Sequence, residues 1–373
     1  MHTTMATENN NKNLNVPNLR FPEFSGEWEK YRLKDIANIS KERIGINMLS
    51  NNNYISTENM KSDFGGVDVA INLPASGNVI KFQKGDTLLS NIRPYLKKIW
   101  QAKFDGGCSA DIFVFRSNIL CNSDFLYYTL ANEKFISYAM SGAKGVKMPR
   151  GDKEQILKYE LHLPTTIEQN KITSFLSLLD ERIATQIKII EKLESLIKGL
   201  CQKLTQQDIP NITFNSCLEC YSSTLQESSV LEVGDFPVYG ATGVCGYTNT
   251  PEVIGDSILI IKDGASVGVT YYASGKYSAI GTLNRLVAKS GYSLRYLYYC
   301  LKVFNFAPYR TGLAIPHIYF RDYGKVQVWC PSIEEQRRIA NALEKNEQKI
   351  ATEKSLLEQL YSQKRFLLQA MFI

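Results

Sequence analysis

Residues 164–172 and 331–339 of this 373-residue chain are two copies of one segment, set 167 residues apart. Pro164-Thr-Thr-Ile-Glu-Gln-Asn-Lys-Ile172 aligns with Pro331-Ser-Ile-Glu-Glu-Gln-Arg-Arg-Ile339. The register then runs without a gap through Leu176/Leu343, Ile183/Ile350, Glu191/Glu358, Leu193/Leu360, Ser195/Ser362 and Leu200/Leu367. An internal repeat settles architecture before any local pattern does. This one predicts two copies of one plan, a globular segment followed by a long helix, related by an approximate two-fold axis.

The copied segments carry the strongest periodicity in the chain. Ile172, Leu176, Leu179, Ile183, Ile187, Ile190, Leu193, Ile197, Leu200 and Leu204 recur at threes and fours, with charged and amide residues on the other faces. Thr165-x-x-Glu168 has capping-box spacing directly after Pro164. The second stripe keeps Ile339, Leu343, Ile350, Leu357, Leu360, Leu367 and Met371, while Asn346 and Lys364 stand where the first has Leu179 and Ile197. A rod of about forty residues is ~60 Å long, and such a stripe cannot stay in water. The two rods are therefore expected to pair antiparallel as a coiled-coil spacer. Packing of each rod on its own domain, or homodimerisation, is the alternative.

The fold class expected is α+β: two similar globular domains separated by two long antiparallel helices. The boundaries are a flexible Asn-rich lead-in at 1–20, a first domain at 21–163, a helix at 164–206, a second domain at 207–330 and a helix at 331–373. Within the first domain, 79–82, 86–90 and 111–115 read as strands, and 123–140 reads as one helix on a Ser/Asp cap. The second domain repeats the order. Gly255-Asp256 opens a strand as Gly85-Asp86 does, Tyr296–Leu301 matches Phe125–Leu130, and Gly312-x-x-x-Pro316 matches Gly145-x-x-x-Pro149.

Composition restricts the chemistry. A hydrophobic content of 44% indicates globular domains, and a net charge of +6 is compatible with a polyanion partner without requiring one. Eight cysteines without a secretory leader read as reduced cytosolic thiols, and the location expected is the cytoplasm. Cys217-x-x-Cys220 has zinc-knuckle spacing but lacks a second ligand pair at the usual interval, so two ordinary thiols are the simpler reading. No membrane span is expected. Three histidines, no phosphate-binding glycine loop and no adenine-methyltransferase motif leave no catalytic constellation, metal or bound cofactor expected on this chain. Phe306-Ala-Pro-Tyr309 reads as a helix end and a turn.

Each globular segment does carry two basic loops interleaved with aromatic and small polar residues. The first has 90–98 and 141–150, the second 262–268 and 309–317. Lys and Arg neutralise phosphates, Arg can bind guanine with two bonds, and Asn or Ser reads other base edges. The candidate contacts are Asn91, Arg93, Tyr95, Lys97, Lys98, Lys144, Lys147 and Arg150 in the first copy. In the second they are Lys262, Ser266, Arg285, Arg310, His317 and Arg321. Taken singly such loops are solvated surface; their correspondence across two copies points to function as sets. A coiled-coil adaptor that binds proteins stays open as a second class.

In this order, these features resemble the specificity subunit of type I restriction-modification systems. The matching pieces are Pro17-Asn-Leu-Arg-Phe-Pro-Glu-Phe-Ser-Gly-Glu-Trp28 with Leu33-x-x-Ile36, the Gly-Asp strand starts, the Gly-x-x-x-Pro loops, and Glu-Gln-x-x-Ile opening each helix. The resemblance implies two target recognition domains, each reading half of a bipartite double-stranded DNA sequence. It also implies two modification subunits that methylate adenine with S-adenosylmethionine and two restriction subunits using ATP and Mg2+, with no catalysis by this chain. One departure is visible. The second copy lacks a clear match to Trp28 and Leu33-x-x-Ile36, and Thr213-Phe-Asn-Ser-Cys-Leu218 is the candidate for that place.

Overall fold

The computed structural model describes residues 15–312 and 314–373. It divides into two compact units. Unit 1 holds the chain up to Thr185 together with Glu358–Ile373, and unit 2 holds Gln186–Leu357. Each unit therefore contains part of both long helices.

Unit 1 opens with β1 (Glu29–Arg32), α1 (Leu33–Ile36) and β2 (Ala37–Ile39). Next come β3 (Arg43–Gly45), β4 (Tyr54–Ile55), β5 (Asn78–Phe82), β6 (Thr87–Ser90), β7 (Ile99–Gln101), β8 (Gly106–Cys108) and β9 (Ile112–Ser117). It then runs through α2 (Ser123–Leu130), α3 (Glu133–Ser141), α4 (Lys153–Ile156) and β10 (Glu160–Leu163) into α5 (Thr166–Thr205). Strand β1 pairs antiparallel with β10, so the globular part is closed where the long helix leaves it. Two four-stranded sheets, ordered β2-β9-β6-β7 and β3-β5-β8-β4, enclose a core of Ile55, Phe82, Leu88, Trp100, Cys108 and Val114.

Unit 2 repeats this plan. It comprises β11 (Ile212–Thr213), α6 (Phe214–Cys217), β12 (Leu218–Ser222), β13 (Phe236–Gly240), β14 (Gly243–Thr248), β15 (Val253–Ile254) and β16 (Ser257–Ile261). These are followed by β17 (Thr270–Ala273), β18 (Lys276–Ala279), β19 (Leu283–Ala288), α7 (Leu294–Lys302), α8 (Phe320–Tyr323), β20 (Gln327–Val328) and α9 (Ile333–Met371). Strand β11 pairs with β20, and the inner sheet β12-β19-β16-β17 has the order of β2-β9-β6-β7. Strand β16 is buried along its whole length because it serves two cores. Ile258 and Ile260 pack under α7, whereas Leu259 and Ile261 face the core between the sheets.

The outer sheets differ. In unit 1 the order is β3-β5-β8-β4, with β8 parallel to β4 and antiparallel to β5. In unit 2 it is β14-β13-β18-β15, with β18 parallel to β13 and antiparallel to β15. The extra strand thus sits on the antiparallel side in one copy and on the parallel side in the other.

Three expectations meet the structure here. Of the lead-in expected over 1–20, residues 1–14 lie outside the described residues. Further on, Leu19 N–H donates to Ala370 O at 2.9 Å and Arg20 reaches Glu168. The single helix expected over 123–140 is two helices. Asn132 interrupts it by accepting from Lys134 N–H and so capping α3, and its amide donates to Leu368 O at 2.9 Å. Segment 213–218 does take the place of 32–37. Phe214 and Cys217 of α6 are fully buried between β11 and β12, as Leu33 and Ile36 of α1 are between β1 and β2.

Each long helix begins the same way. Thr165 and Ser332 accept from the backbone N–H of Glu168 and Glu335, and the buried Gln169 and Gln336 then act as matching staples. Gln169 accepts from Asn122 N–H at 2.8 Å and donates to Pro164 O at 3.0 Å; Gln336 accepts from Ser293 N–H at 2.9 Å and donates to Pro331 O at 2.8 Å. Asn122 and Ser293 cap α2 and α7. Replacing either glutamine with alanine strands a buried donor and acceptor, so a loss of about 2 kcal/mol is expected in denaturant unfolding. A change below about 0.5 kcal/mol would mean the staple is incidental.

Within each unit the two long helices run antiparallel. In unit 1 Asp180 pairs with Lys364 at 2.6 Å, and Phe372 lies against Phe125 near the start of α5. In unit 2 Glu194 pairs with Lys354 at 2.6 Å, and Gln186 donates to Glu353. Ile172, Leu176, Leu179, Ile183, Ile190, Ile339, Leu343, Leu360 and Leu367 of the expected stripes are buried, while Leu193, Ile350 and Leu357 are half-buried. Lys364 fits where an isoleucine stands in the first stripe because its ammonium meets Asp180 and lies over the ring of Tyr128.

Candidate nucleic-acid interface

In unit 1 the two basic loops are bonded into one joint. Asn91 N–H donates to Asp111 O at 2.7 Å, Arg93 N–H to Pro149 O at 2.7 Å and Gly151 N–H to Asn91 O at 3.0 Å. Lys144 and Arg150 exchange both of their backbone bonds, closing a turn on Gly145, whose φ is 99°. The tip of that turn, Val146, Lys147 and Met148, is exposed.

Unit 2 builds the same joint. Lys262 N–H donates to Thr282 O at 3.0 Å, Gly264 N–H to Pro316 O at 2.9 Å and Ile318 N–H to Lys262 O at 2.9 Å. Thr311 and His317 exchange backbone bonds around Gly312, whose φ is 87°. Thr311, Gly312 and His317 stand 167 residues after Lys144, Gly145 and Arg150, while Lys262 and Gly264 stand 171 after Asn91 and Arg93. The backbone is kept and the side chains are exchanged. Leu313, the next residue in the sequence, lies outside the described residues.

The nominated side chains divide by what already holds them. Lys97 pairs with Glu133 at 2.6 Å and lines a cavity beside α3, and Lys98 donates to Thr57 O. Both are turned into unit 1 rather than to the joint, because Lys97 closes the short 94–96 turn with a left-handed backbone. Arg150 pairs with Asp111 at 3.0 Å and Lys144 with Asp152 at 2.6 Å. The Lys144 hydrogen bond holds the Asp152 carboxyl below the usual carboxylate range. Tyr95 and Lys147 are exposed. In unit 2 His317 Nδ1 meets Asp263 at 2.7 Å and Lys262 meets the same carboxylate at 2.9 Å. Burial works against the charged form of Asp263, but these two hydrogen bonds outweigh it and lower its pKa. Arg310 donates to Val267 O at 3.1 Å and so joins the joint, with Ser266 exposed beside it. Arg285 instead stacks on Tyr221 at 4.4 Å on the inner sheet, and Arg321 lies on Tyr319 at 4.9 Å in α8.

Arg93 differs from the rest. Its φ of 52° is left-handed, which costs a residue with a side chain about 1–2 kcal/mol, and its Nε is buried without a hydrogen-bond partner. The Oδ1 of Asn91 beside it is likewise buried and unpartnered. Sequence reasoning placed both in the loop but had no signal for either property.

Other polar clusters are structural. Cys217 donates to Thr213 O, and its thiol is pushed up by the hydrogen bond it shares with Cys330 and by burial. Burial is the main cause that pushes the thiols of Cys108, Cys121 and Cys201 up to about 12. Among the described residues no group of three His, Cys, Asp or Glu could hold a metal ion, and no helix is long and apolar enough to cross a membrane.

Each unit also holds one cavity at an equivalent place, about 380 Å³ in unit 1 and 480 Å³ in unit 2. Tyr361, Lys364, Arg365 and Leu368 line the first; Glu194, Ile197, Lys198 and Cys201, 167 residues earlier, line the second. The segment just past α2 forms the opposite wall in unit 1, and the last turn of α7 with Val303 forms it in unit 2.

The profile of the family described as "Type I restriction modification DNA specificity domain" matches residues 25–195 and 219–362. The chain belongs to this family. The two matches cover both copies of the repeat in this type I specificity chain. Among curated relatives, the EcoDI specificity subunit of Escherichia coli is 23% identical over 190 residues, 50% of this chain and 42% of that one. The MjaVIII specificity subunit of Methanocaldococcus jannaschii is 27% identical over 204 residues, 50% of this chain and 43% of that one. The match to this specificity chain thus spans less than half the length of those relatives. Among solved structures, a type I restriction-modification S subunit from M. genitalium superposes with a TM-score of 0.60 at 19% identity, over 96% of this chain and 99% of that one. A chain from a study of type I R-M complex assembly and conformational transition gives 0.57 at 18% identity, over 91% and 96%. Both share the fold.

Proposed function

We propose that this chain is the DNA-recognition subunit of a type I restriction-modification enzyme, acting in the cytoplasm. Each unit reads one half of a bipartite duplex sequence. Two modification subunits, carrying S-adenosylmethionine, methylate adenine at the places so chosen, and two restriction subunits use ATP and Mg2+. This chain supplies binding and no chemistry. The observation that carries the reading is the loop joint, built twice on one backbone with different side chains: Lys144 against Thr311, Arg150 against His317, Asn91 against Lys262. A scaffold kept while its exposed side chains vary is what two different half-sequences require.

Two copies of one partner fit two equivalent docking places, and the matched cavities supply a pair of these.

The test is duplex binding by the chain assembled with its modification subunits, measured at two salt concentrations. A reader neutralising about six phosphates is expected to lose affinity about a thousandfold between 50 and 200 mM salt. A protein-binding adaptor would show no salt-sensitive affinity for DNA, and that result would overturn the reading.

A further inference from the structure

We propose that Arg93 reads a guanine in the half-sequence assigned to unit 1, presenting its planar guanidinium to the O6 and N7 atoms in the major groove. The inference rests on the DNA-recognition reading and goes further in naming the residue and the base.

Comparison of the two copies carries it. The loop joint needs a left-handed residue whose N–H reaches the proline carbonyl across the joint: Arg93 to Pro149 in unit 1, Gly264 to Pro316 in unit 2. Unit 2 meets this need with glycine, which adopts that backbone freely, and a Cβ added there would touch nothing. Unit 1 holds a positive φ at the same place, 52° against 100° in unit 2, with an arginine. The backbone therefore does not explain the side chain, and strain kept where glycine would serve points to a use for the side chain itself.

What the side chain lacks points the same way. Lys97, Lys98, Lys144 and Arg150 each have an internal partner, whereas Arg93 makes no side-chain hydrogen bond or ion pair among the described residues. Its Nε is already out of water and unsatisfied. A fork of donors held on a rigid joint and left unpaired is prepared for an acceptor pair from outside, and guanine offers two on one edge. Lys147, also without a partner in these bonds, sits at the exposed turn tip on a flexible stem and suits a phosphate.

The experiment uses the chain assembled with its modification subunits, and it maps methylated adenines for wild type, Arg93→Gly and Arg93→Lys. Thermal unfolding of each complex is followed in parallel. Arg93→Gly copies the twin position, so its unfolding midpoint is expected to stay near wild type. One G·C position of one half-sequence should become degenerate, with affinity for the original site down about ten- to a hundredfold and the other half-sequence unchanged. Arg93→Lys keeps the charge but loses the fork and should behave as the glycine variant does. Wild-type behaviour of the lysine variant would assign Arg93 to a phosphate and overturn the proposal. An unchanged half-sequence in the glycine variant, or loss of both halves, would overturn it as well. If the wild-type complex methylates no bipartite sequence, the underlying DNA-recognition reading fails, a result separate from any of these.

Discussion

Replacing Arg20 with alanine is expected to cost unit 1 about 3–5 kcal/mol of stability, read as a lower denaturant midpoint. Arg20 meets both oxygens of Glu168 at 2.7 Å, and Glu168, only 1% exposed, also accepts from Trp28 Nε1 at 3.3 Å. Removing the guanidinium leaves a carboxylate buried with one weak donor, and desolvation then has nothing to offset it. Adding Glu168→Gln to the Arg20 variant is expected to restore part of the loss, since a neutral amide needs no counter-charge. The twin position gives the control. Glu335 pairs with Arg338 three residues along its own helix, on a side chain that is 77% exposed, and Arg338→Ala is expected to leave the midpoint unchanged. Equal effects at the two positions would refute the idea that unit 1 uses this motif as a buried anchor.

That contrast shows what the sequence could and could not convey. The start of each long helix was legible because proline, cap and Glu-Gln stand together within six residues. The partner of Glu168 was not, because Arg20 lies 148 residues away and nothing local distinguishes Glu168 from Glu335. The capping-box spacing suggested that Glu168 would turn back on its own helix; tertiary contact with Arg20 and Trp28 wins instead. The break between α2 and α3 was hidden because Asn132 sits in an apolar pattern that suits one helix, and its cap depends on where Leu368 places a carbonyl. The loop joint was half legible. The Gly-x-x-x-Pro turns keep the 167-residue offset, but the strand-loop residues that meet them are offset by 171, so the Arg93 and Gly264 equivalence appears only in the hydrogen bonds. The moved outer strand left no trace at all, since β3 and β14 are exposed or half-exposed throughout and carry no buried apolar face to mark them.

Exchanging residues 40–155 for the same segment of a relative with a different target is expected to replace one half-sequence completely. The other half-sequence and the gap between them should remain. The segment begins after β2 and ends inside α4, so it takes the loop joint, Arg93 and all of the outer sheet. It leaves β1, α1, β10, α5 and α9, together with the buried Trp28, Leu33, Ile36, Leu161 and Leu163. Two kinds of contact cross the cuts. Strand β2 pairs with β9 from Ala37 to Ile39, a ladder of backbone bonds that does not depend on which side chains arrive. Asn122 to Asn170, Tyr128 to Asp180 and Asn132 to Leu368 do depend on side chains, so the incoming segment must supply asparagine, tyrosine and asparagine at those places. With them the hybrid keeps its helix contacts and changes only its reader, and mapping methylated adenines in cells carrying the hybrid decides the matter. A change in both halves would mean that the two units do not read independently. No change in either would place recognition outside the loop joints, and with it the role given to Arg93.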